Sequence, residues 1–184
     1  MEDEQQEKKI QELKSRIKCY PNFPKDGILF WDIFSAISDG STCKLLLDLL
    51  TDVMHSKFPG AEAVVGMESR GFLFSFPLAA KLGIGCVPVR KKGKLPGPVI
   101  SLEYDSEYAT DSLEVQSEAF SVNRKCVLVD DLIATGGTLS TAIHLLRKCG
   151  AEVIGCLAVM EIVSLNGRSV IPDNVPVHSL IKYD

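Results

Sequence analysis

Short apolar runs alternate with helix-like segments over most of the chain, and this alternation constrains the fold more than any other feature. The runs are continuously apolar, which is typical of strands buried on both faces of a sheet. Strands that alternate with helices form right-handed βαβ units and hence a parallel sheet. We therefore predict an α/β fold, with a mostly parallel sheet flanked by helices and ligands at the carboxyl ends of the strands. The predicted strands are 63–67, 84–89, 126–130 and 153–160, and the predicted helices are 5–18, 41–58, 71–82 and 137–149.

Length and charge narrow the class of protein. A chain of 184 residues is the size of one domain, and we predict a single domain over 1–184. Lys and Arg number 20 against 24 Asp and Glu, a net charge of −4, which gives no basis for charge-driven binding to nucleic acid. No apolar run approaches the ~20 residues that cross a membrane. The charged start, MEDEQQEKK, is unlike a signal or transit peptide. We expect neither nucleic acid nor a membrane as a partner.

The six cysteines give no sign of a metal site. They form no CxxC pair, and no histidine stands at zinc-ligand spacing to them, so we predict no metal held by protein ligands of this kind. Most of them lie in apolar runs, where a free thiol behaves as a small core residue. Free thiols are typical of a reducing compartment, and we expect a cytoplasmic protein.

The segment 90–118 breaks the alternation of strands and helices. It contains RKKGK, then LPGP, then polar residues, and a regular pattern returns only at about 115. Loops longer than about 12–15 residues in a compact domain are usually functional or mobile. We therefore predict that this segment is an irregular loop that covers an active site.

The stretch CVLVDDLIATGGTLSTA at 126–142 carries the most chemistry. A buried strand brings Asp130 and Asp131 to the edge of the sheet, and Ala134–Thr138 then turns directly into a helix. Backbone N–H groups, two hydroxyls and the positive helix end converge there, which suits a terminal phosphate. Gly136 and Gly137 let an oxygen approach the backbone closely. The carboxylates instead suit sugar hydroxyls or the water shell of Mg²⁺. Together they describe a ribose 5-phosphate.

Two other interpretations of this stretch are less favoured. A tight Gly-Gly turn beside a solvated strand end would explain the glycines alone, but not the coincidence of the acidic doublet, both threonines and the helix. A response-regulator receiver domain also ends a strand in an acidic pair, but it needs most of its sheet downstream. Only 54 residues follow Asp130 (184 − 130), which disfavours that class. The order of residues matches neither a Walker A loop nor a GxGxxG fingerprint.

VLVDDLIATGGT resembles the phosphoribosyl-pyrophosphate (PRPP) signature of the type I phosphoribosyltransferases. In that family the acidic pair holds the ribose hydroxyls and the following loop, here Ala134, Thr135, Gly136, Gly137 and Thr138, holds the 5-phosphate. NFPKDGILFWDI, GMESRGFLF and VRKKGKLPGP resemble, in order, further motifs of the adenine-using members. The resemblance covers about 20–184. It implies an N-terminal helical extension at about 1–19, a small base-binding hood at about 20–35 and a flexible catalytic loop at about 90–115.

The resemblance assigns two segments to pyrophosphate. Glu68, Ser69 and the catalytic candidate Arg70 match the loop that grips this group. Arg90, Lys91 and Lys94 belong to a run of four cations in five residues and match family residues that contribute to the same site, in some members across a subunit boundary. A homodimer is therefore implied. Such a basic run is more often a solvated face or a nucleic-acid patch, but the glycines and prolines within and after it favour a shaped loop.

The resemblance also implies a catalytic flap. By its spacing from GKLPGP, the pair Glu107-Tyr108 matches the family's acidic-aromatic pair, with Glu103 as the less favoured alternative. A carboxylate near the base can remove a proton from the purine or orient it, and Tyr108 would make a closing contact. A closed flap keeps water from the reactive sugar carbon. The alternative is a solvated hairpin with no catalytic part.

A base pocket is expected around Leu29, Phe30 and Trp31, where Phe30 can stack on a purine and backbone groups can read its edge. The family usually has Arg where this sequence has Trp31, which affects specificity only if that side chain touches the base. Core packing is the alternative role for these three residues. Ile162 matches an apolar residue that lines the family's base pocket.

Taken with these residues, the resemblance implies an enzyme that condenses adenine with PRPP to give AMP and pyrophosphate, with Mg²⁺ as cofactor. Two alternatives remain open. One is a phosphoribosyltransferase for another purine base, and the other is a non-catalytic PRPP-binding regulator on the same fold. Regulators of this kind usually carry an added nucleic-acid domain or basic face, whereas only about 20 residues precede the matching region here.

Overall fold

The computed structural model describes residues 2–105 and 110–184. The chain divides into two compact units, with the boundary between Asp52 and Val53. No helix in the described ranges is long and apolar enough to cross a membrane.

The first unit is a helical segment with one small hairpin. It contains α1 (Glu2–Arg16), β1 (Lys18–Pro21), β2 (Leu29–Asp32), α2 (Ile33–Ile37) and most of α3 (Gly40–Lys57). The predicted helices 5–18 and 41–58 are confirmed as α1 and α3, with slightly different ends. Strands β1 and β2 pair antiparallel, so that Cys19 faces Trp31 in the register. The Asp32 carboxylate accepts a 3.0 Å hydrogen bond from the Phe34 N–H, which caps α2.

The second unit is built on a seven-stranded sheet. Its strands are β3 (Ala63–Met67), β4 (Gly85–Lys91), β5 (Val99–Asp105), β6 (Thr110–Gln116), β7 (Lys125–Ile133), β8 (Glu152–Ile162) and β9 (Val177–Tyr183). Five strands are parallel, in the order β4-β3-β7-β8-β9, and β6 and β5 extend the β4 edge in antiparallel fashion. The predicted mostly parallel sheet is thus confirmed.

The prediction that 90–118 is irregular was wrong for most of this segment. β5 and β6 form an antiparallel hairpin that pairs Val99 with Gln116 and Asp105 with Thr110. Apolar residues alternate with polar ones at Ile100, Leu102 and Tyr104 of β5 and at Leu113 and Val115 of β6, and the last two are buried in the core. Alternation is typical of antiparallel strands, a pattern that differs from the continuous apolar runs of the parallel strands. The hairpin tip, 106–109, lies outside the described residues.

Two helices cover opposite faces of this sheet. They are α4 (Phe72–Leu82) and α5 (Gly137–Lys148). A side chain on Gly66 of β3 would meet Ser75 and Phe72 of α4, whereas its neighbours Val65 and Met67 belong to the same core cluster as the α5 residues. Because successive residues of a strand face opposite sides, the two helices lie on opposite faces.

The core of this unit should depend strongly on its central strand. Leu128 of β7 is fully buried, and we expect Leu128→Ala to lower the free energy of unfolding by about 2–5 kcal/mol, through lost burial and the cavity that remains. Urea denaturation followed by circular dichroism measures this change. The control is Val122→Ala, at a position 82% exposed, which should change stability by less than about 0.5 kcal/mol. Equal effects of the two variants would contradict the assigned core.

Candidate functional site

The carboxyl ends of the parallel strands collect most of the predicted site residues at one edge of the sheet. β3 leads into Glu68–Arg70, β4 ends in the basic segment Arg90–Lys94, β7 carries Asp130 and Asp131, and Ile162 is the last residue of β8. The strand registers pair Met67 with Val89 and Gly66 with Val129. Parallel pairing therefore brings segments that are distant in sequence to the same edge, where ligands of α/β sheets bind.

Asp130 and Asp131 lie in the part of β7 that extends beyond its pairing with β3. Pairing with β3 stops at Val129, while pairing with β8 continues to Ile133. The strand was predicted to end at 130 but continues for three residues. The Asp131 side chain is only 5% exposed, and its Oδ2 lies 2.9 Å from Nε of Arg70. Apart from this ion pair, Oδ2 is buried and accepts no aligned hydrogen bond within the described part of the chain.

Burial dominates the electrostatics of the acidic pair. It raises the pKa of Asp130, and the adjacent charge of Asp131 raises that pKa further. Burial also raises the pKa of Asp131, against the opposing effect of the Arg70 guanidinium. Two carboxylates so close together in a half-buried site are costly to ionise together. Hydroxyl donors or a cation would lower that cost.

The threonine–glycine loop, Ala134–Thr138, joins the acidic pair to helix α5. Gly136 adopts the left-handed conformation (φ 79°) at the helix N-cap, and no side chain caps the N-terminus of the helix. Thr135 and Thr138 are exposed, so both hydroxyls are accessible. The first N–H groups of a helix have no partner within it. An uncapped N-terminus beside two accessible hydroxyls forms a site for an anion.

The basic segment is organised by a carboxylate, Glu68. Its oxygens accept hydrogen bonds from Arg90 Nη2 (3.1 Å), the Lys91 backbone N–H (2.8 Å) and Lys94 Nζ (2.7 Å). Burial alone would raise the pKa of Glu68, but these bonds outweigh it and lower the pKa to about 2. Glu68 was predicted as part of an anion-binding loop. Its side chain contacts the cations, and its own N–H donates to the Val89 carbonyl.

Glu114 of β6 is a residue that the sequence patterns did not single out. It is 2% exposed, and its carboxylate accepts the backbone N–H groups of Gly93, Lys94 and Leu95 at 2.8–3.0 Å. Burial would raise the pKa of Glu114, yet the three N–H donors lower it overall. One buried carboxylate thus fixes the turn of the basic segment. The only sequence signal was a charged residue between Leu113 and Val115, both of which point into the core.

The comparisons with known proteins agree with this geometry. A sequence model of the family described as "Phosphoribosyl transferase domain" matches residues 44–176, most of the chain. The chain belongs to the phosphoribosyltransferase family. Adenine phosphoribosyltransferase of Drosophila pseudoobscura pseudoobscura is 51% identical over 96% of this chain and 97% of its own length. The corresponding protein of Synechocystis is 45% identical over 94% and 99%.

A solved structure gives the same result for the fold. Adenine phosphoribosyltransferase from Saccharomyces cerevisiae, complexed with an imino-altritol bisphosphate and adenine, superposes with a TM-score of 0.90 at 40% identity. The match covers 95% of this chain and 99% of that one. The predicted fold and the resemblance to the adenine-using phosphoribosyltransferases are both confirmed.

The remaining predicted site residues lie in the first unit or outside the described residues. Leu29, Phe30 and Trp31 lie on β2 of the first unit, where the Phe30 ring packs edge-to-face on Phe23 with centroids 5.0 Å apart. Leu29 is 53% exposed, so core packing does not account for it. Glu107 and Tyr108 lie outside the described residues. The described alternative, Glu103, makes a 3.7 Å ion pair with Lys92 between two well-exposed side chains, an interaction of little energetic weight.

The Glu114 contacts generate a direct test. We expect Glu114→Gln to speed hydrogen exchange of the Gly93, Lys94 and Leu95 amides by about tenfold or more, because a neutral amide oxygen replaces a charged acceptor of three bonds. Amide exchange followed by NMR measures this rate. Glu118→Gln is the matched control, since Glu118 is exposed. Unchanged protection in Glu114→Gln would contradict the assigned contacts.

Proposed function

We propose that this phosphoribosyltransferase condenses adenine with PRPP, giving AMP and pyrophosphate. The observation that carries the proposal is the acidic pair set beside an uncapped helix N-terminus: hydroxyl acceptors next to phosphate donors. The choice of adenine is supported by the names of the most similar relatives and by the adenine in the Saccharomyces complex.

In this proposal the sugar phosphate is bound by two kinds of group. Backbone N–H groups and hydroxyls of the threonine–glycine loop bind the 5-phosphate, where the helix dipole favours negative charge. Asp130 and Asp131 accept hydrogen bonds from the ribose hydroxyls. The orientation of Asp131 is supported by Arg70, 2.9 Å away. Fixing both ends of the sugar holds its reactive carbon in place for attack by the base.

The pyrophosphate leaves toward the cations. Arg70, Arg90, Lys91 and Lys94 supply the positive charge that stabilises the departing group, and Ser69 adds an exposed hydroxyl at the turn. Arg90 and Lys94 already contact Glu68. In this proposal pyrophosphate replaces Glu68 as the partner of Arg90 and Lys94. Before pyrophosphate binds, the contacts with Glu68 hold these two long side chains in place.

The donor set at this edge fits Mg²⁺ as a cofactor carried by the substrate. Within the described ranges, no three His, Cys, Asp or Glu side chains cluster closely enough to hold a metal by themselves. Asp130 and Asp131 would meet the ion or its water shell, and substrate oxygens would complete the octahedron that Mg²⁺ prefers. When bound, Mg²⁺ would neutralise part of the pyrophosphate charge.

The base and the flap complete the proposed site. Phe30 stacks on adenine, backbone groups near Leu29 and Trp31 read its edge, and Ile162 adds an apolar wall. Glu107 orients the purine or takes its proton as the bond from ring nitrogen to sugar carbon forms and the bond to pyrophosphate breaks. Tyr108 makes the closing contact that excludes water.

The assembly and the compartment are also part of the proposal. A homodimer is supported by apolar side chains that α4 leaves exposed, Leu73 at 47% and Phe76 at 69%, since large exposed apolar patches usually mark interfaces. A cytoplasmic location is supported by six cysteines that are all free, as expected where thiols stay reduced.

A panel of bases tests the proposed reaction. The protein is mixed with PRPP, Mg²⁺ and either adenine, hypoxanthine or guanine, and the nucleotide is identified by chromatography and mass. We expect AMP with adenine and at least about a hundredfold lower kcat/KM with the oxopurines, because a site built to hydrogen-bond one edge leaves buried groups unpaired with another. Preference for an oxopurine would overturn the choice of base, and no nucleotide from any base would favour a PRPP-binding regulator.

The flap carboxylate is tested by a matched pair of variants. We expect Glu107→Gln to lower kcat by about 10²-fold or more, the usual contribution of a positioned acid or base. Glu103→Gln should change kcat less than about twofold, because its described partner is an exposed surface lysine in a weak ion pair. Steady-state kinetics with adenine gives both numbers. If Glu103→Gln is the slower variant, the assignment moves to Glu103.

A further inference from the structure

The segment that follows β8 touches the threonine–glycine loop backbone to backbone. Two short 3-10 helices, Val163–Leu165 and Gly167–Val170, form this segment. A side chain on Gly167 would overlap the Ala134 carbonyl oxygen and come within 3.0 Å of the Gly136 nitrogen. A side chain on Gly136 would in turn overlap the Gly167 carbonyl oxygen. Neither position has room for a Cβ, so the two backbones form one packed unit.

An ion pair at the base of this segment fixes it to the sheet. Arg168 donates from Nε and Nη2 to the two oxygens of Glu161, both at 2.6 Å, and from Nη1 to the Val177 carbonyl at 2.8 Å. The Ser179 hydroxyl also donates to Glu161. Glu161 is 5% exposed, and bidentate pairs of this kind are strongly directional. The neighbour of Gly167 is therefore tied to β8 and β9.

The same glutamate lies beside the site. Glu161 pairs in register with Ile133, the last residue of β7, one residue before the threonine–glycine loop begins. The ion pair thus lies next to the residue that precedes the loop, and Gly167 packs against Ala134 and Gly136 within it. Together they restrict a loop whose N–H groups must converge on one point. The sequence motifs assign no substrate contact to Glu161, Gly167 or Arg168.

We propose that Gly167 and the Arg168–Glu161 pair are positioning residues for the 5-phosphate site: Gly167 is a backbone wall that sets the geometry of Ala134–Gly136, and the ion pair holds that wall in place. This inference rests on the proposed function, in which the threonine–glycine loop binds a phosphate. These residues do not touch the substrate. They act through the loop, so their loss should weaken phosphate binding and spare the pyrophosphate side.

The test compares two probes on Gly167→Ala. Affinities for ribose 5-phosphate and for inorganic pyrophosphate with Mg²⁺ are measured by calorimetry. We expect ribose 5-phosphate to bind about tenfold to a hundredfold more weakly, the equivalent of losing one charge-assisted hydrogen bond, while pyrophosphate affinity changes less than about twofold. In steady state the KM for PRPP should rise more than kcat falls.

The matched control is Gly155→Ala on β8. A side chain there would overlap the ring of Phe58, so it introduces crowding within the sheet unit at a position whose nearest neighbours do not include the loop. We expect it to lower the melting temperature while leaving the ratio of the two affinities unchanged. If Gly167→Ala is too unstable to measure, Arg168→Lys, which keeps the charge but cannot donate in bidentate fashion, should give the same selective loss at smaller size.

The outcomes separate this inference from the proposed function. Selective loss of ribose 5-phosphate affinity in Gly167→Ala or Arg168→Lys supports the positioning role. Equal loss of both probes, or no loss, overturns it while the phosphate site stands. Failure of the wild-type protein to bind ribose 5-phosphate would overturn the phosphate site itself and this inference with it.

Discussion

The site depends on one constraint, the parallel pairing of β3, β4, β7 and β8. Parallel strands carry their carboxyl ends to the same edge, and β3, β4 and β7 are followed there by the segments that carry the predicted site residues. This pairing brings Arg70 within 2.9 Å of Asp131 although the two residues are 61 positions apart in sequence (131 − 70). The continuous apolar runs bury the strands on both faces of the sheet. Because they form the parallel sheet, the same runs also bring the predicted site residues together at one edge.

Buried carboxylates do much of the positioning around this edge. Glu68 holds the cations, Glu114 holds the turn between them, and Glu161 holds the segment against the threonine–glycine loop. In each case hydrogen bonds to the carboxylate lower its pKa, so all three stay ionised at neutral pH. The acidic pair is different, because burial raises the pKa of both carboxyl groups. Glu68, Glu114 and Glu161 each accept several hydrogen bonds from the protein, whereas Oδ2 of Asp131 has only its ion pair with Arg70 within the described residues.

The sequence predicted the parts whose signal is local. Strands β3, β7 and β8 and helices α3, α4 and α5 follow from apolar periodicity, and the threonine–glycine loop follows from one contiguous motif. The sequence analysis did not predict the β5–β6 hairpin, because few apolar residues alternate there, such as Leu113 and Val115, and polar and charged residues separate them. Nor did it predict Glu114 or Gly167. Their roles arise from contacts between segments distant in sequence, such as Gly167 with Ala134, which no local pattern encodes.

In the proposed site the threonine–glycine loop binds the phosphate, and the acidic pair binds the sugar hydroxyls. A crystal structure of the protein with AMP tests it most directly. We predict phosphate oxygens within about 3 Å of the loop N–H groups and ribose hydroxyls within about 3 Å of the Asp130 and Asp131 oxygens. A phosphate bound instead at Arg90 and Lys94, or aspartates turned away from the sugar, would contradict the account.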